Sequence, residues 1–313
     1  MNSIKILINM SELGAGTRGS SLSYSSIVTA SHNLNSDFFL KNKVEEIPNE
    51  NSILFSPGLP ENAKYIDEII VIYKRISDKI KSTCLDNKIP LIISGDHSNA
   101  GGTITGLREA FPDKKIGIFW IDAHADLHSP YTTPSGNIHG MPLATALKED
   151  NIISKVNEVD ANTAKKWNKL KGMKAKIMPE HIIFLGVRDT EIQEDEMISR
   201  LNIKKYSVND LRKKSLESCI NESLESLSDC EIIYVSLDVD SLDPSISNGT
   251  GTSVDNGFTV DEVKKILNLI ADSKKIGCLE ITEVNPTLDT KGNAMAEAAF
   301  EILQDITNKL ISK

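Results

Sequence analysis

Seven short, near-continuous apolar runs constrain the fold of this chain more than any other feature: Ile4–Met10, Ile53–Ser56, Ile89–Ile93, Ile116–Ile121, His181–Val187, Ile232–Leu237 and Gly277–Ile281. A strand with one wet face alternates apolar and polar residues. A continuous run predicts a strand covered on both faces, as in a parallel sheet. Between the runs the spacing turns helical, as at Ile66, Ile69, Ile70, Tyr73 and Ile76. Thr259 and Glu262 form the two halves of a capping box opening a helix over Val260–Ala271, and Asn293 is placed to cap a last helix running toward Leu310. Strands alternating with helices predict a doubly wound, mainly parallel α/β fold. No linker or internal repeat interrupts the pattern, so residues 1–313 read as one domain. The polar, lysine-rich stretch from Glu149 to Pro179 reads as surface structure with a helical middle.

The residues that follow the apolar runs carry the chemistry, because ligands of an open parallel sheet bind beyond the carboxyl ends of its strands. Ser94-Gly95-Asp96-His97-Ser98 follows one run, Asp122-Ala123-His124-Ala125-Asp126 another, Asp238-Val239-Asp240 a third and Glu283-Val284-Asn285-Pro286 a fourth. Alternate residues of an extended chain face one side. Asp122, His124 and Asp126 are therefore expected to point together, as are Asp238 and Asp240. A single Asp-x-Asp is more often a solvated turn, but three such clusters directly after buried-type strands make a metal centre the better reading. With His97 they supply two imidazoles and four carboxylates. That is more than one ion needs with a position left open, and it suits two divalent cations. Oxygen-rich ligands with some imidazole favour manganese, with cobalt or nickel as alternatives, and the absence of cysteine disfavours structural zinc.

Charge and cysteine usage narrow the partners. A net charge of -9 argues against nucleic acid or an anionic membrane as partner and leaves room for a cationic substrate. Cys84, Cys219, Cys230 and Cys278 form no CxxC pair and read as reduced thiols of a cytoplasmic protein. No stretch approaches the roughly 20 apolar residues of a membrane span.

The blocks SGDHS (Ser94–Ser98), DAHAD (Asp122–Asp126), SLDVDSLDP (Ser236–Pro244) and EVNP (Glu283–Pro286) resemble those of the ureohydrolases, the arginase and agmatinase superfamily. The resemblance runs from Leu13 to about Glu301. It implies a binuclear manganese site on His97, Asp122, His124, Asp126, Asp238 and Asp240, an arginase-type fold and a trimeric or hexameric homo-oligomer. Ser129–Gly140 is similar to the arginase branch. By that resemblance Ser135 and Asn137 lie at the substrate carboxylate. His128 stands where arginases have asparagine, and Glu191, after Gly186-Val187-Arg188-Asp189, where they commonly have aspartate. Both departures concern the amino-acid end of a substrate.

The implied reaction is hydrolysis of a guanidino C–N bond, most simply L-arginine to L-ornithine and urea, by a metal-bridging hydroxide. Divalent cations lower the pKa of bound water toward about 7. By the family pattern, Asp126 is both ligand and acceptor orienting that hydroxide. Glu283 is the anionic partner expected for the guanidinium. His139 is the expected proton shuttle to the leaving nitrogen. Thr252 is expected to support Glu283 or the site wall. Another ureohydrolase activity (agmatinase, guanidinobutyrase or formimidoylglutamase) is the nearest alternative. Gly14-Ala15-Gly16-Thr17-Arg18-Gly19 fits G-x-G-x-x-G, but it lacks the acidic residue a dinucleotide site needs at a second strand end. A non-catalytic relative is the third alternative, and the complete ligand set speaks against it.

Overall fold

A computed structural model describes residues 3–311; of the expected domain 1–313, residues 1, 2, 312 and 313 lie outside the described residues. Eight parallel strands form one sheet: β1 (Ser3–Asn9), β2 (Val44–Glu46), β3 (Lys88–Ser94), β4 (Ile116–Ile121), β5 (Ile182–Leu185), β6 (Lys204–Tyr206), β7 (Ile232–Asp238) and β8 (Ile276–Thr282). Their order is β2-β1-β3-β8-β7-β4-β5-β6. Every neighbouring pair is parallel.

Helices cover both faces, as runs without polar alternation require. Ile6, Ile8, Leu91 and Ile93 pack on one face with residues of the helices Ser23–Asn33, Val260–Asp272 and Ala294–Ile311. Leu7, Ile92 and Trp120 pack on the other with the helices Ile66–Leu85, Ala100–Ala110 and Ala161–Lys171. Successive residues of one strand thus feed opposite cores, and the doubly wound expectation holds.

Three local expectations change. Ile53–Ser56 is no strand: Asn51–Phe55 is a 3-10 turn with Phe55 exposed, too short a run for sheet pairing to hold. The edge strands β2 and β6 are three residues each and partly polar, so periodicity does not reveal them. Within Glu149–Pro179 the helix Ala161–Lys171 is present, but Trp167, Lys171 and Lys176 are buried. The Lys171 ammonium meets Asp150, and that of Lys176 donates to the carbonyls of Thr145, Leu170 and Lys171. The capping box of Thr259 and Glu262 forms as expected, and the last helix begins directly after Asn293.

Candidate metal centre and active site

The central strands β3, β8, β7 and β4 lie side by side, and each delivers chemistry at its carboxyl end. His97 follows β3, Glu283 follows β8, Asp238 ends β7, and Asp122 follows β4. These residues, far apart in sequence, meet because the chain crosses from β3 to β4 and later fills the gap with β7 and β8.

The ligand clusters do not stay extended, contrary to the alternation expected. Asp122 accepts the His124 amide at 2.7 Å, and Asp238 accepts the Asp240 amide at 2.8 Å, so each aspartate turns its own chain. Asp126 sits in the left-handed region with φ 52°. The side chains converge all the same, through these side-chain-to-backbone turns.

Two donor sets result. His97 Nδ1 lies 3.0 Å from Asp122 Oδ2 and 3.1 Å from Oδ2 of both Asp126 and Asp238. His124 Nδ1 lies 3.0 Å from Asp240 Oδ2 and 3.5 Å from Asp122 Oδ1. Asp122 belongs to both sets, with one oxygen in each. All of these side chains are buried except His124, which is partly open. His97 Nδ1 and Asp122 Oδ2 are buried without a hydrogen-bond partner, which is the condition of atoms shaped to hold a cation. The residues therefore fit two divalent ions.

Electrostatics agree. Burial and the neighbouring Asp240 and Asp122 carboxylates push the Asp238 pKa well up. Asp126 is raised to about 6 by burial and by Asp122. Burial opposes a charge on His97, yet the surrounding aspartates hold its pKa far above the ordinary value. So much buried negative charge calls for cationic partners.

Support comes from residues that sequence reasoning passed over. His97 Nε2 lies 2.7 Å from Ser236 Oγ, which directs Nδ1 at the carboxylates. The Trp120 ring stacks on His97 with centroids 4.1 Å apart. Asp96, fully buried, accepts the amides of Gly14 and Ser98. A Cβ at Gly14 would come within 2.6 Å of Asp96 and Ser98, so this glycine serves the close packing of the first loop on the centre. Ser236 and Asp96 lay inside the quoted motifs; Trp120 gave no signal beyond belonging to an apolar run.

A cavity of about 420 Å³ opens over the centre, and His128, Ser135, Asn137, His139, Glu191, Thr252 and Glu283 all line it. Glu283, at φ 67°, accepts the His97 amide at 2.9 Å through Oε1, which also lies 3.3 Å from His139 Nδ1. Burial lowers the His139 pKa, but Glu283 outweighs it and holds it at about 9. The Thr252 hydroxyl donates to Asp240 Oδ2 at 3.0 Å, so it supports a metal-type carboxylate rather than Glu283. The two departures from the arginase pattern face each other: His128 Nε2 lies 2.9 Å from Glu191 Oε2, and its Nδ1 lies 3.1 Å from Thr132 Oγ1. Glu191 also caps the helix Ile192–Leu201 in a capping box with Glu194. Gly14–Gly19 wraps against this site, with Gly16 and Thr17 lining the cavity, and leads into the 3-10 turn Ser20–Leu22 and the helix Ser23–Asn33.

Comparison with known proteins matches the geometry. The Arginase family model matches residues 6–308. An arginase of Bacillus subtilis is 33% identical over 249 residues, 80% of this chain and 79% of the relative. An arginase of Staphylococcus aureus is 30% identical over 294 residues, 93% of this chain and 91% of the relative. The solved arginase of Bacillus caldovelox superposes with a TM-score of 0.82 at 28% identity, covering 98% of each chain. Sequence and fold thus agree along nearly the full length, and the chain belongs to the arginase family.

Proposed function

We propose that this protein is a two-metal hydrolase of guanidino compounds, most directly converting L-arginine to L-ornithine and urea, as a single domain over residues 1–313. The observation that carries the reading is Asp122, whose two oxygens face two separate histidine–carboxylate sets at the floor of one cavity. His97, Asp122, Asp126 and Asp238 would hold one cation; Asp122, His124 and Asp240 would hold the other, with carboxylate free to bridge. When bound, the pair of divalent ions, manganese by donor chemistry and cobalt or nickel by the same ligands, supplies a water of lowered pKa beside an electrophile.

The chain's own groups do the rest. Asp126, at the cavity edge of its set, binds and also accepts a hydrogen bond from the nucleophilic water. Glu283 keeps Oε1 on the His97 amide and His139, so its carboxylate is fixed in place to pair with the substrate guanidinium and set its plane. Glu283 also keeps a proton on His139 near neutral pH. With Nδ1 engaged by Glu283, Nε2 is the atom that hands a proton to the departing nitrogen. Ser135 and Asn137 sit at the far end with His128, Glu191 and Asp189, and present donors and acceptors to an amino-acid terminus. His128 acts there through Glu191. Thr252 shapes the wall by fixing Asp240.

The protein is proposed to work in the cytoplasm as a homo-oligomer, a trimer or hexamer. Among the described residues no helix is long and apolar enough to cross a membrane. The test of the function is urea release with manganese from L-arginine, agmatine, 4-guanidinobutyrate and formimidoylglutamate, the last read as formamide. Turnover of L-arginine above the others supports the reading. Preference for agmatine or formimidoylglutamate moves the chain to another ureohydrolase activity, and turnover of none rejects the hydrolase.

A further inference from the structure

The loop before the helix Ile66–Leu85 grips the segment that carries Ser135 and Asn137. The Lys64 amide donates to the Gly136 carbonyl at 2.9 Å, and the Lys64 ammonium donates to Asn137 Oδ1 at 3.1 Å. Gly136 has φ +74°, and a Cβ there would lie 1.7 Å from the Glu61 carbonyl oxygen, so the two loops touch backbone to backbone. Lys64 is half-buried, and its stem runs past Gly58, where an added Cβ would come within 3.2 Å of Lys64 Cγ. Among the described residues no carboxylate lies within ion-pairing distance of its ammonium.

An ammonium donates only. Contact with Lys64 therefore fixes Asn137 with its oxygen outward and its two N–H donors on the opposite side. There Nδ2 faces Gly16 across the cavity wall, 2.7 Å from where a Cβ would stand. A flipped amide would set donor against donor. The lysine charge also stands directly behind those donors.

We propose that Lys64 is a positioning residue that determines specificity: by holding Asn137 Oδ1 it turns Nδ2 toward the cavity and selects guanidino substrates that end in a carboxylate. This rests on the hydrolase reading above. It accounts for how the far end can still recognise a carboxylate although His128 is occupied by Glu191. Agmatine, whose far end bears no carboxylate, gains nothing from these donors.

The experiment is steady-state kinetics of the manganese-loaded wild type, Lys64→Met and Lys64→Arg on L-arginine, with agmatine as second substrate or competitive inhibitor. In Lys64→Met the KM for L-arginine rises at least tenfold while kcat falls less than threefold, and the preference for L-arginine over agmatine drops at least tenfold. Lys64→Arg restores most of both. In an Asn137→Ala background the Lys64→Met change adds less than twofold to KM, a coupling that a general loss of folding would not produce. Equal losses for the two ligands, an unchanged KM, or full additivity in the double variant overturns the proposal. Wild-type enzyme that hydrolyses no guanidino substrate overturns the hydrolase reading itself, and the inference with it.

Discussion

At the scale of single residues, the metal-type ligands were legible because each follows a buried run, and all six meet. What they do next was less legible, since it depends on partners brought from elsewhere in the chain. Of the two roles expected for Thr252, support of Glu283 or of the site wall, the geometry fits the wall, through Asp240, and His128 and Glu191, two separate departures in sequence, bond each other across 63 positions. Two substitutions test the roles. Ser236→Ala removes the partner of His97 Nε2 and should weaken manganese binding about 10–100-fold by calorimetry, as loss of a hydrogen bond to a metal-ligating histidine commonly does. His139→Asn should lower kcat about 10²–10⁴-fold with a small change in KM, the usual range for a lost proton donor. The His128–Glu191 pair sets a pH window. The hydrogen bond from His128 depresses Glu191 to about 2, so its stabilisation is present above the ordinary value near 4.5 and fades as pH falls toward 2. Burial opposes the charge on His128, but Glu191 keeps its pKa above the ordinary 6.5, so its share is complete below 6.5 and fades as pH rises past the raised pKa. The Tm gap between wild type and Glu191→Gln should be widest from about pH 4.5 to 6.5 and narrow on either side; a gap independent of pH would show that the pair does not act as a charge pair.

At the scale of elements, the six longer strands could be read from their near-continuous apolar residues, because burial on both faces leaves few polar positions, such as Ser236 and Glu280, to blur the pattern. β2 and β6 could not, since edge strands of three residues with lysine and glutamate carry no periodicity. The ligand-type side chains converge without the extended backbone that alternation predicts: β4 ends at Ile121, and the aspartates aim their neighbours by turns that spacing cannot distinguish from extension. β4 also carries Trp120, fully buried and stacked on His97. Trp120→Ala should destabilise the protein by about 3–5 kcal/mol in chemical denaturation, in line with other large-to-small core changes. It should also weaken cation binding, because His97 loses the surface that fixes its plane.

At the scale of the whole molecule, the sheet order is what makes the site. β3 and β4 are not neighbours; β8 and β7 fill the space between them, so four strand ends converge that the chain reaches at widely separated times. The sequence shows which residues terminate strands, but strand order depends on how the helices pack, which no local pattern records. Because the ligands come from three strand ends, cation binding and folding are linked. At free manganese of 100 times Kd, each site should add about 2.7 kcal/mol to stability, seen as a higher Tm that a chelator reverses.

The most direct test is to strip the protein of metal and titrate it with manganese while counting bound ions and recording urea from L-arginine. Two ions per chain at saturation, urea production that rises with their binding, and loss of both in Asp122→Ala are the expected results. A single ion at saturation, or full urea production by the metal-free protein, would contradict an active site built on one aspartate shared between two cations.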